Sequence, residues 1–258
     1  MPIDIHQIEF FLLVFIRVAS ALAVLPLFSH SATPTMVKAG LAGGIALLLT
    51  PTLSSALPPP SGTLVDFFLL AMRETVCGLL LGFAGQFLFW GVDIAGQLIG
   101  FQAGFSVISS IDPNTESQST VLTQVYNLVA MLLFLAMDGH QAMIKAVADS
   151  LHAIPVGTLT VDGRLSEWTV AAVKSVMVNG IRLAAPLMVT LLMTDVGLGI
   201  LTRVAPSLNV FIVGFPMKVA ITLMMISATL TILASVFTAQ LGEYVREMPS
   251  FMKLLTVP

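Results

Sequence analysis

Residues 64–105 read LVDFFLLAMRETVCGLLLGFAGQFLFWGVDIAGQLIGFQAGF. A helix needs roughly twenty apolar residues to cross a hydrocarbon core, and this run is about twice that length. Only Asp66, Arg73, Glu74 and Asp93 interrupt it with charge. It is overlong for one straight crossing, so two helices or one bent helix are expected. Toward its end Gly96, Gly100 and Gly104 recur every fourth residue. One helical face there lacks side chains, which lets another backbone approach closely and marks a packing seam.

The same pattern extends in both directions. Upstream, Ile8 to Phe28 carries Arg17 and Pro26, and a Ser-Thr-Pro turn follows at Ser29 to Pro34. The next apolar run, Met36 to Leu57, holds Gly40 and Gly44, is interrupted at Thr50-Pro51, and ends at Pro58-Pro59-Pro60, which cannot continue a helix. Downstream, Ser106 to Thr120 is polar and reads as a loop with a turn at Asp112-Pro113-Asn114. Val121 to Met137 is apolar, stops at Asp138-Gly139-His140, and is followed by an amphipathic piece, Gln141 to Ile154. Pro155 to Glu167 is the longest hydrophilic connection. Val170 to Leu201 is again overlong, with Pro186, Gly197 and Gly199 as kink points. A last run, Asn209 to Ala239, leads to a short charged tail from Glu243 to Pro258. The expected fold is an all-α membrane protein of about six hydrophobic segments, some kinked or paired as helical hairpins.

Composition agrees. Hydrophobic residues make up 57% of the 258 residues and charged residues 10%, too few charges to keep a domain of this size in water. The formal net charge is −3 and no cluster of Lys or Arg occurs, so nucleic acid is excluded as a partner. Met1 to His6 contains neither a basic patch nor a cleavage site, so the first apolar segment is expected to be retained. Cys77 is the single cysteine, which excludes an intrachain disulfide.

Charges within apolar runs must be paired or hydrated. Arg17, Arg73, Glu74, Asp93, Asp195, Arg203 and Lys218 are therefore expected to contact other helices or other subunits. His6, His30, His140 and His152 are scattered without a metal-ligand spacing. No nucleophile elbow and no phosphate-cradling loop occur, so no catalytic, cofactor or metal residues are assigned and no cofactor is expected.

Several landmarks stand in a fixed order: Ile94-Ala95-Gly96 through Gln102-Ala103-Gly104-Phe105, Asp112-Pro113, and Asp138-Gly139-His140. Leu201-Thr202-Arg203-Val204-Ala205-Pro206, Asn209-Val210-Phe211 and Gly214-Phe215-Pro216-Met217-Lys218 complete the series. Together they resemble the FliR family of flagellar export-gate subunits, which includes the equivalent injectisome component. The resemblance implies a noncatalytic, membrane-embedded component of the flagellar type III protein export gate. It would sit in the bacterial inner (cytoplasmic) membrane at the flagellar basal body, one copy joining FliP, FliQ and FlhB. Unfolded flagellar subunits would pass through their closed pore. It also implies a FliP-like part over about residues 1–170 and a FliQ-like part over about 171–258. The same resemblance assigns a pore plug to Gly104, Phe105, Ser106, Val107, Ile108, Ser109, Ser110, Ile111, Asp112 and Pro113, the apolar members sealing a narrow pore by dewetting. A second reading, a secondary transporter of a small solute, would use helix breaks at Pro186, Gly197 and Gly199 and between Gly91 and Gly104, although no inverted repeat accompanies them.

Overall fold

The computed structural model describes residues 5–29, 34–56, 62–105, 121–207 and 209–256. Among these residues every element is helical. In chain order they are α1 (Ile5–Val24), the single turn α2 (Pro26–Ser29), α3 (Thr35–Leu49), a 3₁₀ turn (Thr50–Ala56), α4 (Leu64–Ala103), α5 (Val121–Ala136), α6 (Gly139–Ala153), α7 (Arg164–Val204) and α8 (Val210–Lys253). Among the described residues four stretches are long and apolar enough to cross a membrane: Ile5–Val24, Thr35–Leu53, Arg164–Val204 and Ile212–Lys253. A fifth arises if α5 and α6 count as one broken span.

Where two helices were one expectation for residues 64–105, α4 runs unbroken for 40 residues. Its glycines do not interrupt it, because a backbone in an apolar setting has no partner for its polar groups except its own helix. Likewise α7 continues for 41 residues through Pro186. The amphipathic piece is the helix α6, which starts after a bent break at Asp138, a residue that holds φ 55°. The charged tail is not a tail. Residues 243–253 are the last turns of α8, and Met248, Phe251 and Met252 among them are buried.

Two compact units divide the chain, one comprising residues 1–87, 138–172 and 242–258 and the other residues 88–137 and 173–241. In the first, Leu13, Val14, Val18, Ala21 and Leu22 form the buried stripe of α1. A second cluster gathers Cys77, Leu81 and Ala84 of α4 with Met248, Phe251, Met252 and Leu255. The last four stand at i, i+3, i+4 and i+7, the spacing of one helical face. Trp168 packs on Phe251 with the rings tilted and their centroids 4.3 Å apart, and meets Phe87 edge-on at 5.8 Å. The 154–163 connection is stitched to the chain's end, because Thr160 and Asp162 donate their backbone N–H groups to the carbonyls of Leu255 and Leu254. At the start of α7, hydrogen bonds from the Arg164 side chain and backbone hold the Asp162 carboxyl below its ordinary pKa.

The second unit is centred on aromatic residues. Phe89 meets Phe134 and Phe237 edge-on, each at 5.5 Å, and both partners are fully buried. Nearby the Tyr126 hydroxyl donates to Thr229 Oγ1 at 2.6 Å and ties α5 to α8. Tyr126→Phe, which removes that hydroxyl and leaves Thr229 without its donor, is expected to cost about 1 kcal/mol. Thermal unfolding of the detergent-solubilised chain would register this as a modest fall in midpoint with no change of fold.

Large apolar side chains remain on the outside of both units, among them Met36, Leu48, Leu64 and Met224. Surfaces of this composition belong against lipid or other membrane helices rather than water.

Candidate gate and charge sites

In the first unit two glycines of α4, Gly78 and Gly82, let α1 reach backbone contact, and a third, Gly85, makes room for side chains. A Cβ on Gly78 would lie 2.3 Å from the Arg17 carbonyl oxygen and 2.0 Å from Ser20 Oγ. One on Gly82 would lie 2.6 Å from the Ala21 carbonyl oxygen, and one on Gly85 would meet Met143 at 2.9 Å. Positions 78 and 82 stand one turn apart on one helical face, so α1 lies directly on the α4 backbone there.

One turn before Gly78, that close approach brings two charges together. Arg17 Nε donates to Glu74 Oε2 at 2.5 Å, and both side chains are completely buried. Arg17 Nη1 also donates to the carbonyls of Ser150 and Ile154, at 3.1 and 2.8 Å. These groups lie at the C-terminal end of α6, where the helix dipole favours a cation, and the Ser150 carbonyl also accepts the Ile154 N–H at 2.8 Å. Glu74 Oε1 accepts the Gly157 N–H at 2.8 Å, and Arg73 Nη1 donates to the Gly157 carbonyl at 2.9 Å. Arg73 and Glu74 thus hold both polar groups of Gly157. That residue has φ +83°, and a Cβ there would press into Leu70 at 2.7 Å. The network joins α1, α4, the end of α6 and the turn after it, and supplies most of the hydrogen bonds a buried ion pair requires, Arg17 Nη2 being left without a partner among the described residues.

In the second unit a smaller polar group surrounds Asp195 of α7. Its carboxylate pairs with Lys218 of α8 and accepts the Gln102 amide of α4 at 3.0 Å. Two residues after Gln102, Gly104 adopts φ +90°, and a Cβ there would lie 3.3 Å from the Phe215 ring. Phe105 meets Phe215 edge-on with centroids 6.5 Å apart. Phe215 precedes Lys218 by three residues, so one face of α8 supplies both contacts. Asp93 accepts the Asn127 amide at 2.5 Å. Gly96 lies against α5, where a Cβ would be 2.6 Å from Thr123 Cα, and Gly100 is buried.

A sequence profile of the bacterial export proteins, family 1, matches residues 8–244. The chain belongs to that family. It is 32% identical over 221 residues to the flagellar biosynthetic protein FliR of Escherichia coli (strain K12), covering 85% of this chain and 83% of the relative. The FliR of Bacillus subtilis (strain 168) is 30% identical over 251 residues, 96% of each chain. That of Aquifex aeolicus (strain VF5) is 24% identical over 247 residues, 96% of this chain and 95% of the relative.

In this export-family chain every singled-out charge falls inside the matched region. Arg17, Arg73 and Glu74 come together, as do Asp195 and Lys218, while Arg203 is exposed in the last turn of α7. Of the plug assignment, Gly104 and Phe105 are placed beside Phe215, whereas Ser106, Val107, Ile108, Ser109, Ser110, Ile111, Asp112 and Pro113 lie outside the described residues. Sequence reasoning missed Gln102, Asn127 and Gly157 as polar partners. It also missed the glycines at 78, 82 and 85, although Gly78 and Gly82 repeat the four-residue spacing it recognised at 96, 100 and 104. Among the described residues no group of three His, Cys, Asp or Glu side chains comes together as a metal site.

Proposed function

We propose that this chain is a noncatalytic subunit of the flagellar type III protein export gate, embedded in the bacterial inner membrane at the flagellar basal body. It forms part of the closed pore through which unfolded flagellar subunits leave the cytoplasm. The observation that carries this reading is its membership of the export family over nearly its full length, among relatives named for flagellar biosynthesis. The apolar outer surfaces support it, since such helices gain from neighbours in a membrane assembly. One copy joins FliP, FliQ and FlhB, and the parts over about residues 1–170 and 171–258 correspond to one FliP-like and one FliQ-like unit. Purification of a tagged chain in mild detergent should recover these three partners in one large complex.

Within the gate, residues Gly104 to Pro113 act as the plug. Its first two residues are tethered by Phe215, and the helix end before them is tied to Asp195 through Gln102. A passing chain must displace such a segment, and small spacers such as Ser106, Ser109 and Ser110 suit that task. Deleting residues 106–110 is expected to raise the membrane's leak to small ions in cells that carry the whole gate. An unchanged leak would refute the plug while leaving the export role in place. The transporter reading has no such family support and is not pursued.

A further inference from the structure

Asp93 lies on α4 within the second unit, deep in an apolar run. Among the described residues the Asn127 amide is its one polar partner, and no Lys, Arg or His nitrogen stands within 4.0 Å of its carboxylate. Lys174, Arg182 and Arg203, the basic residues of α7 in this unit, make no ion pair with it. A carboxylate in a hydrocarbon layer is costly unless a cation or water meets it.

Beside this carboxylate an open groove of about 410 Å³ runs between α4 and α7. Trp90, Asp93, Ile94 and Gln97 line it from α4, and Val176 and Met177 from α7. Moving the two helices together cannot close it. One turn away they are already at backbone contact, where a Cβ on Gly180 would lie 2.8 Å from Ile94 Cγ2 and 3.1 Å from the Gly91 carbonyl oxygen. The groove therefore needs a filler from outside. An acyl chain would fit its apolar walls and leave the carboxylate uncompensated. A long basic side chain satisfies both, because its methylenes lie on apolar surface while its charged end reaches the acid. The Trp90 indole favours a cation as well.

We propose that this groove receives a lysine or arginine side chain from a helix of a neighbouring subunit, whose cation pairs with Asp93. The inference rests on the reading of this chain as one subunit of a membrane gate and names the chemistry of one of its contacts. The neighbour is recognised by a basic residue inside an otherwise apolar helix.

The test uses cells that carry the full gate, with the chromosomal copy of this gene replaced by tagged variants. For Asp93→Lys the fraction of chain found in the large complex should fall by at least about tenfold, since like charges then meet across a desolvated contact. Asp93→Asn should give a smaller loss. If Asp93→Lys fails to accumulate in the membrane, Asp93→Asn carries the test, because it keeps the size of the side chain. A photo-crosslinking amino acid at Gln97, which is exposed on the groove, should join a neighbour's peptide containing Lys or Arg. Changing that residue to Glu should restore assembly of Asp93→Lys. The proposal is overturned if Asp93→Asn and Asp93→Lys both assemble like the wild type. It is also overturned if the crosslinker labels lipid alone or the Lys174 region of this same chain. Export by cells that lack the gene altogether would refute the export reading instead, which keeps the two failures apart.

Discussion

Glu74→Ala is expected to remove most of this chain from the membrane. The substitution leaves the Arg17 guanidinium in a fully buried site with only two carbonyls for company, and it releases the Gly157 N–H. Breaking one side of a buried ion pair costs about 3–5 kcal/mol. That is a large part of the roughly 5–15 kcal/mol that holds an ordinary domain together. Membrane abundance, measured by immunoblot at equal synthesis, should fall severalfold or more. Arg17→Met combined with Glu74→Met should recover part of the loss, because an apolar pair of similar volume leaves no unpaired charge. Equal abundance of Glu74→Ala and wild type would mean that the pair is not the clasp described.

Gly78→Val should be at least as damaging, for a connected reason. The added atoms would start 2.3 Å from a backbone oxygen of α1, and backbone cannot turn aside as a side chain can. Inserting bulk into a filled contact typically costs about 1–3 kcal/mol. Here the displacement of α1 would also draw Arg17 away from Glu74, adding the loss above. Gly78→Ala should show a graded form of the defect, and Gly40→Ala should show almost none, since nothing lies within 4 Å of a Cβ at that position. Comparing the resistance of the three variants to heating in detergent tests the order. Similar midpoints for Gly78→Val and Gly40→Ala would contradict the close approach of α1 to α4.

Much of this was legible before any coordinates. Runs of twenty or more apolar residues specify membrane helices with little ambiguity, because backbone polar groups in lipid must be satisfied within the segment. The same physics explains the main misreading. Two helices were one expectation for residues 64–105, yet α4 is continuous there, because glycine interrupts a helix only where the freed backbone finds another partner. The tail was misjudged on its charges. Glu243, Arg246 and Glu247 are conspicuous, while Met248, Phe251, Met252 and Leu255 carry the helical period that seats it in a core. Arg17 and Glu74 were each recognisable as charges needing partners, but 57 residues separate them and their pairing is a property of the fold. Amides such as Gln102 and Asn127 give no warning in a sequence, because their role depends on which carboxylate the fold sets beside them.

The central claim is that this chain belongs to the conduit for flagellar subunits, and secretion measures it most directly. Filament protein in the culture medium should be assayed in a strain with the gene deleted in frame and in the same strain carrying the wild-type gene on a plasmid. None should reach the medium from the first, and the second should restore it. Secretion by the deletion strain at the parental level would contradict the account.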